Sequence, residues 1–224
     1  MKPAMLLQKF DPTGTLNEPA TARKRLEKAA YWKKQRVIVV TPTAEMIHVK
    51  VYLAHLGLIF PPNNAVARIP AVGLEVGEAY STVIEQILAH PELSQWEYIL
   101  TLESDNCPPQ DGVLRLIERM EERPDLDCIG GLYYTKGDGG SPQIWGDPND
   151  ALNFRPQLPD PAGGLVECTG TGMGFNLWRL KMFKNKKLRK PWFKTQTHGG
   201  VATQDLYFWM DAKKHGFKCA VDCS

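Results

Sequence analysis

The chain has 224 residues, which sits at the upper end of a single domain and is short for two enzyme domains. Its 43% hydrophobic and 23% charged residues are ordinary for a soluble globular protein, and a formal charge of +2 is too mild to announce a nucleic-acid binder. No run approaches the roughly 18–20 apolar residues of a membrane span, and Met1 to Leu7 is too short an apolar run for a signal peptide, so the expectation is a cytoplasmic protein without a membrane span.

Residues 1–20, with Pro3, Pro12, Gly14 and Pro19, read as an irregular arm leading into a helix from about Ala20 to Lys34. Residues 1–35 are therefore expected to be peripheral and 36–224 to form one domain. Val37-Ile38-Val39-Val40 is a β-branched run that predicts a buried strand, followed by Thr41-Pro42-Thr43 as the loop at its end. Ile47, Val51, Leu53 and Leu56 fit a helical face over 44–56, which Gly57 can end. A second strand is expected at about 65–72. A helix follows over 77–90, with Val83, Ile84, Ile87 and Leu88 inward, stopped by Pro91.

Tyr98 to Leu102 is a short apolar strand, and Glu103 to Pro109 is the loop after it. A helix over 111–122 and a strand over 127–134 continue an alternation of β and α that predicts a layered α/β sheet, whose ligands collect at the carboxyl ends of the strands. Residues 135–164 are rich in Gly, Pro, Asp and Asn and read as one long loop. Short elements at Leu165–Cys168 and Phe175–Leu180, a helix over 203–215 and a strand over 217–221 complete the chain.

Glu103 and Asp105 stand where the apolar strand 98–102 ends. On a strand the side chains alternate, so both carboxylates are expected to point the same way while Ser104 points opposite. Two hard oxygen donors at a strand end suit Mg²⁺ or Mn²⁺, although Asp105-Asn106 before Pro108-Pro109 equally suits plain turn chemistry. Asp205 opens a helix, where the dipole favours its ionised form; simple capping explains such an aspartate as well. The glycines in Cys168-Thr-Gly-Thr-Gly-Met-Gly-Phe175 either let backbone approach a ligand closely or serve a tight turn.

An apolar strand ending in Glu103-Ser104-Asp105, then a proline-bearing polar turn and a helix, resembles the family 2 glycosyltransferases of the GT-A class. The resemblance runs from about Arg36 to the end of the chain. It takes in Val37 to Pro42, Gly77 to Glu85, Cys168 to Trp178, and Thr203-Gln204-Asp205-Leu206-Tyr207-Phe208, which is similar to the family's Glu-Asp-x-x-Phe segment. The implied fold is a GT-A-type, Rossmann-like, mixed and mostly parallel sheet flanked by helices, with a nucleotide-sugar half at about 36–134 and an acceptor half at about 135–224. The implied reaction moves a sugar from a nucleoside-diphosphate sugar, UDP-linked by family preference, to an acceptor hydroxyl with inversion. Asp205 would be the catalytic base and Asp105, with Glu103, the ligands of Mn²⁺ or Mg²⁺. Ser104 belongs to the diphosphate motif, Thr41, Pro42 and Thr43 would touch the nucleotide, and Gly172 would line the sugar pocket. The chain departs from the pattern in carrying Glu at the first acidic position and Gln204 before Asp205. No histidine follows Asp222, where some members supply a metal ligand, which leaves His198 as the nearby candidate.

Two rival readings share this fold class. A nucleotidyltransferase would carry a Gly-rich basic loop after the first strand, and Thr41 to Glu45 has neither glycine nor a positive charge. A non-catalytic carbohydrate or nucleic-acid binding module is kept open by Gln204 and the absent histidine. A dinucleotide oxidoreductase fits worse, because Gly170-x-Gly172-x-Gly174 leads into a strand. The five cysteines form no CxxC pair and read as buried free thiols. Basic residues cluster over 23–36 and 179–194; if the second run faces the cleft, the acceptor would be polyanionic, with modified DNA as one option. Lys190-Pro191-Trp192-Phe193 reads as an acceptor-side platform or as packing.

Overall fold

A computed structural model of the chain describes residues 34–63, 65–135, 137, 139–150, 154–195 and 203–224. The expected arm and most of the helix over 20–34, most of the basic cluster 23–36, and His198 lie outside the described residues. The rest is an α/β structure around one seven-stranded sheet with the order β2-β1-β3-β8-β4-β9-β6. The central strands are β1 (Val37–Thr43), β2 (Val66–Val72), β3 (Tyr98–Leu102), β4 (Cys128–Gly131) and β9 (Cys219–Asp222), which all run one way. β8 (Phe175–Arg179) and β6 (Leu165–Cys168) run against them. The sheet is thus mixed, with most strands codirectional. β5 (Ile144–Trp145) and β7 (Gly170–Thr171) pair separately as a small ribbon.

Period-two alternation sorts the strand residues between two cores. Ile38, Val40, Ile99 and Trp178 face the layer of α2 (Val76–Ala89) and α4 (Gln204–Ala212). Val37, Val39, Leu100, Leu102 and Leu177 face α3 (Gly112–Glu122), whose Val113, Leu114, Leu116, Ile117 and Met120 are buried. α1 (Val49–Leu56) starts five residues later than expected, with His48 as its cap. The first core is strongly aromatic. Trp178 stacks on Trp209 at 5.3 Å and meets Phe183, Phe193 and Phe208, and Trp192 meets Phe183 edge-on. Trp192 and Phe193 are 2% and 1% exposed, so the two aromatics of the 190–193 segment are core packing and present no platform, while Lys190 and Pro191 are exposed.

Three local departures from the expected elements bear on the site. First, β1 continues through Thr41-Pro42-Thr43, which pair in parallel with Pro70, Ala71 and Val72. Pairing with β3 stops at Val40, so Pro42 falls where β1 has a free edge and a residue without an N–H is tolerated. Second, β8 is wedged antiparallel between β3 and β4, which the local alternation does not announce. Third, residues 135–164 are not a bare loop: they contribute β5 and the isolated bridges Tyr134–Pro142 and Trp145–Pro156.

Candidate active site

β3 ends at Leu102, and the next four residues form a turn. The Glu103 N–H donates to the Gly174 carbonyl at 3.0 Å, and the Asn106 N–H closes back on the Glu103 carbonyl at 3.2 Å. Strand alternation therefore does not carry through Glu103 and Asp105, because the backbone has already turned at Ser104. The turn nevertheless brings Glu103, Ser104 and Asp105 to the wall of a single cavity of about 320 Å³. Its other walls are Pro42 and Thr43 at the end of β1, Leu74 and Val76 at the start of α2, and Gln204 at the start of α4. This volume is at the small end of the range for small-molecule sites. Thr41 lies one residue short of the cavity wall, in register with Pro70.

Asp205 follows Gln204 in the first turn of α4 and is 6% exposed. Burial holds its carboxyl above the ordinary value, opposed by hydrogen bonds from Thr203 and from the Leu206 N–H at 2.8 Å. Two tyrosines connect this carboxylate electrostatically with the acidic turn. Ionisation of the Tyr80 hydroxyl is pushed well up by burial and by the charges of Glu103, Asp105 and Asp205. Tyr133 responds to burial and to the same three carboxylates. Both tyrosines thus feel the charges of Glu103, Asp105 and Asp205. The Tyr80 hydroxyl is fully buried without a hydrogen-bond partner among the described residues.

The sequence pattern did not single out Tyr80 or Tyr133, since an aromatic on an inward helix face or a strand end looks like core. Nor did it single out His55, which is buried on α1 beneath the acidic turn. His55 Nε2 lies 3.0 Å from the Asn106 carbonyl, so the ring donates there and carries its proton on Nε2. Burial lowers its basicity and keeps it neutral, and Arg68 adds to the effect.

Two glycines of the 170–174 segment, Gly172 and Gly174, have a packing role. A Cβ at Gly172 would stand 2.1 Å from the Tyr133 hydroxyl and 2.9 Å from Gln143 Oε1; at Gly174 it would meet the Tyr133 ring at 2.6 Å. Neither glycine has a positive φ. Both are bare to admit Tyr133, whose hydroxyl accepts from the Gly174 N–H at 2.9 Å.

A second cavity of about 210 Å³ lies on the other flank of the acidic turn, bounded by Asn106, Cys107, Arg115, Tyr133 and Asp222. Arg115 is held there by Asp111 at 3.1 Å and by the Ser224 carbonyl at 2.7 Å. Of the cysteines, Cys128, Cys168 and Cys219 are buried as expected, but Cys107 is exposed and Cys223 half-buried, all as free thiols.

Among the described residues no three His, Cys, Asp or Glu side chains group around a metal position. Glu103 and Asp105 remain a pair of hard oxygen donors on a turn that opens into a cavity, with Asp105 exposed and Glu103 half-buried. That donor set fits a divalent cation that completes its shell with water and phosphate oxygens, as Mg²⁺ and Mn²⁺ do. No helix among the described residues is long and apolar enough to cross a membrane. No protein-family model matches the chain, and no curated protein matches it.

Proposed function

We propose that the chain is a metal-dependent glycosyltransferase of the GT-A type, transferring a sugar from a nucleoside-diphosphate sugar, UDP-linked by preference, to an acceptor hydroxyl with inversion. The observation that carries this reading is the cavity shared by the end of β1, the Glu103-Ser104-Asp105 turn and the start of α4. The first two are the segments a nucleotide and a diphosphate-bound cation require together, and Gln204 on the third adjoins the buried Asp205, which is not itself in the lining. Pro42 and Thr43 would contact the nucleoside, and Glu103 and Asp105 would hold Mg²⁺ or Mn²⁺ against the diphosphate. Bound there, the cation supplies Lewis-acid stabilisation of the departing diphosphate.

Asp205 is suited to the proton step. Its raised basicity lets it take the acceptor hydroxyl proton as the new bond forms at the anomeric carbon and the bond to the diphosphate oxygen breaks. The proton ends on the Asp205 carboxyl and the electron pair leaves with the nucleoside diphosphate. Burial and the charges of Glu103, Asp105 and Asp205 keep the Tyr80 and Tyr133 hydroxyls protonated.

The test is thermal stability with Mn²⁺ and UDP, GDP, CDP or dTDP, in the wild type and in Asp105→Ala. A ligand at about 100 times its dissociation constant adds roughly 2.7 kcal/mol, several degrees at this chain length. A shift that requires both metal and one nucleotide, and disappears in Asp105→Ala, is expected. No shift with any pair would remove the donor-site assignment.

A further inference from the structure

The basic run 179–194 divides in the structure into two kinds of residue. Its two arginines are built into the fold. Arg179 donates to the Leu126 and Met120 carbonyls at 2.8 and 2.6 Å, and Arg189 donates to the Tyr207 carbonyl while its N–H meets Asp211 at 2.9 Å. The lysines Lys184, Lys186 and Lys187 are exposed, and among the described residues none of the three has a carboxylate within ion-pair distance. Lys190, also exposed, is paired with Glu85 at 3.1 Å.

Lys184, Lys186 and Lys190 line a groove of about 590 Å³ with the polar side chains of Ser94, Gln95 and Asn185. Lys187 adjoins it, its N–H held by Asn185 Oδ1 at 2.9 Å. The groove sits at the amino end of β3, because Leu93–Gln95 leads into that strand and Arg179 is opposite Tyr98. The acidic turn sits at the other end of β3, about 17 Å away for five strand residues. Lys184, Lys186 and Lys190 therefore lie away from the candidate active site, so for them the condition that the basic run faces the cleft is not met.

We infer that the Lys184–Lys190 groove is a second, independent binding surface that grips the phosphodiester backbone of double-stranded nucleic acid. Lysine ammonium groups on flexible stems neutralise phosphates without the bidentate geometry that reads base edges. Single-strand binders add exposed aromatic rings for base stacking. Here the aromatics of the segment, Phe183, Trp192 and Phe193, are at most 2% exposed and unavailable for stacking. The surface thus suits a duplex, bound without sequence preference. It would tether the protein to a polyanion while leaving the opposite edge of the sheet open, and it holds whether or not the proposed transfer reaction is correct.

The experiment is fluorescence anisotropy of the full chain with a random duplex DNA of about 20 bp, between 50 and 200 mM salt, in the wild type and in a Lys184→Ala/Lys186→Ala/Lys187→Ala variant. Three phosphate contacts contribute a log–log salt slope of about −2.7, or roughly a 40-fold loss across that range. The expected result is that the variant's slope is shallower by about that amount, with an unchanged urea midpoint and an unchanged response to metal plus nucleotide. Lys186→Glu alone should weaken binding in the same direction. The proposal is overturned if the triple variant keeps the wild-type slope, if no duplex binds at 50 mM salt, or if oligo(dT) of equal length binds more tightly than the duplex.

Discussion

His55 on α1 and Asn106 behind the acidic turn are joined by one hydrogen bond, imidazole Nε2 to carbonyl at 3.0 Å, so a helix outside the cavity fixes the turn that lines it. His55→Ala leaves that carbonyl without its donor, at a cost of about 1–3 kcal/mol. The pH dependence has a definite sign. Burial depresses the folded-state basicity of His55, so the unfolded chain takes up the proton first as pH falls. Stability present above the ordinary histidine value of 6.5 is lost as pH falls toward the depressed folded value. His55→Gln keeps an N–H donor but cannot titrate, and should show a smaller fall in urea midpoint between neutral and mildly acidic buffer. An equal fall in both proteins would show that another group governs this window.

Gly172 and Tyr133 form a matched pair, bare backbone against a phenol. Gly172→Ala puts a methyl 2.1 Å from the Tyr133 hydroxyl, an overpacking expected to cost about 1–3 kcal/mol. Tyr133→Phe removes the atom in the way, so the double variant should recover part of the loss even though the Gly174 N–H loses its acceptor. Denaturation of the four proteins of the cycle measures the coupling; strictly additive losses would mean that the two residues do not meet.

The five thiols should separate by reactivity. Cys107 is exposed, whereas burial pushes the Cys128 and Cys219 thiols well up and keeps them un-ionised. Thiolate is the reactive species, so a disulfide reagent should label Cys107 in a fast phase and reach the buried cysteines only on unfolding. Cys107 lies two residues after Asp105, so metal with the matching nucleotide should slow the fast phase. Fast labelling of Cys128 or Cys219 in the native protein would contradict their buried sheet positions.

The elements with strong periodicity were legible in the sequence. The β-branched run at Val37, the apolar strand at Tyr98 and the helices over Gly112–Glu122 and Val76–Ala89 each declare one period. The insertion of β8 between β3 and β4 was not legible, because it pairs Tyr98 with Arg179 and no local pattern records so distant a partner. At the site, Glu103, Asp105 and Asp205 stood out as carboxylates at element boundaries. Tyr80, Tyr133 and His55 did not, since burial gives them the pattern of core residues and only tertiary packing puts them near the acids. The glycines were noticed for their spacing, but their packing role depends on Tyr133, which arrives from just past the end of β4.

Asp205 gives the sharpest separation of stability from activity. Its folded-state basicity is raised by burial, so as pH rises the unfolded chain loses the proton first. The protonated carboxyl stabilises the fold fully below the ordinary value of 3.8, and that stability is lost as pH rises through the higher folded value. At neutral pH the native state therefore carries a buried carboxylate at a cost. Asp205→Asn, a neutral isostere whose carbonyl oxygen can still accept from the Leu206 N–H, should raise stability at neutral pH by roughly 0.5–2 kcal/mol, a few degrees in Tm. The gain should shrink toward zero near pH 3. In the proposed reaction the same substitution removes the base, so sugar transfer should fall by about 10²-fold or more while metal-dependent nucleotide binding persists. Tm against pH reads the buried charge and release of nucleoside diphosphate reads the base. A variant more stable at neutral pH but fully active would keep the burial argument and refute the catalytic one.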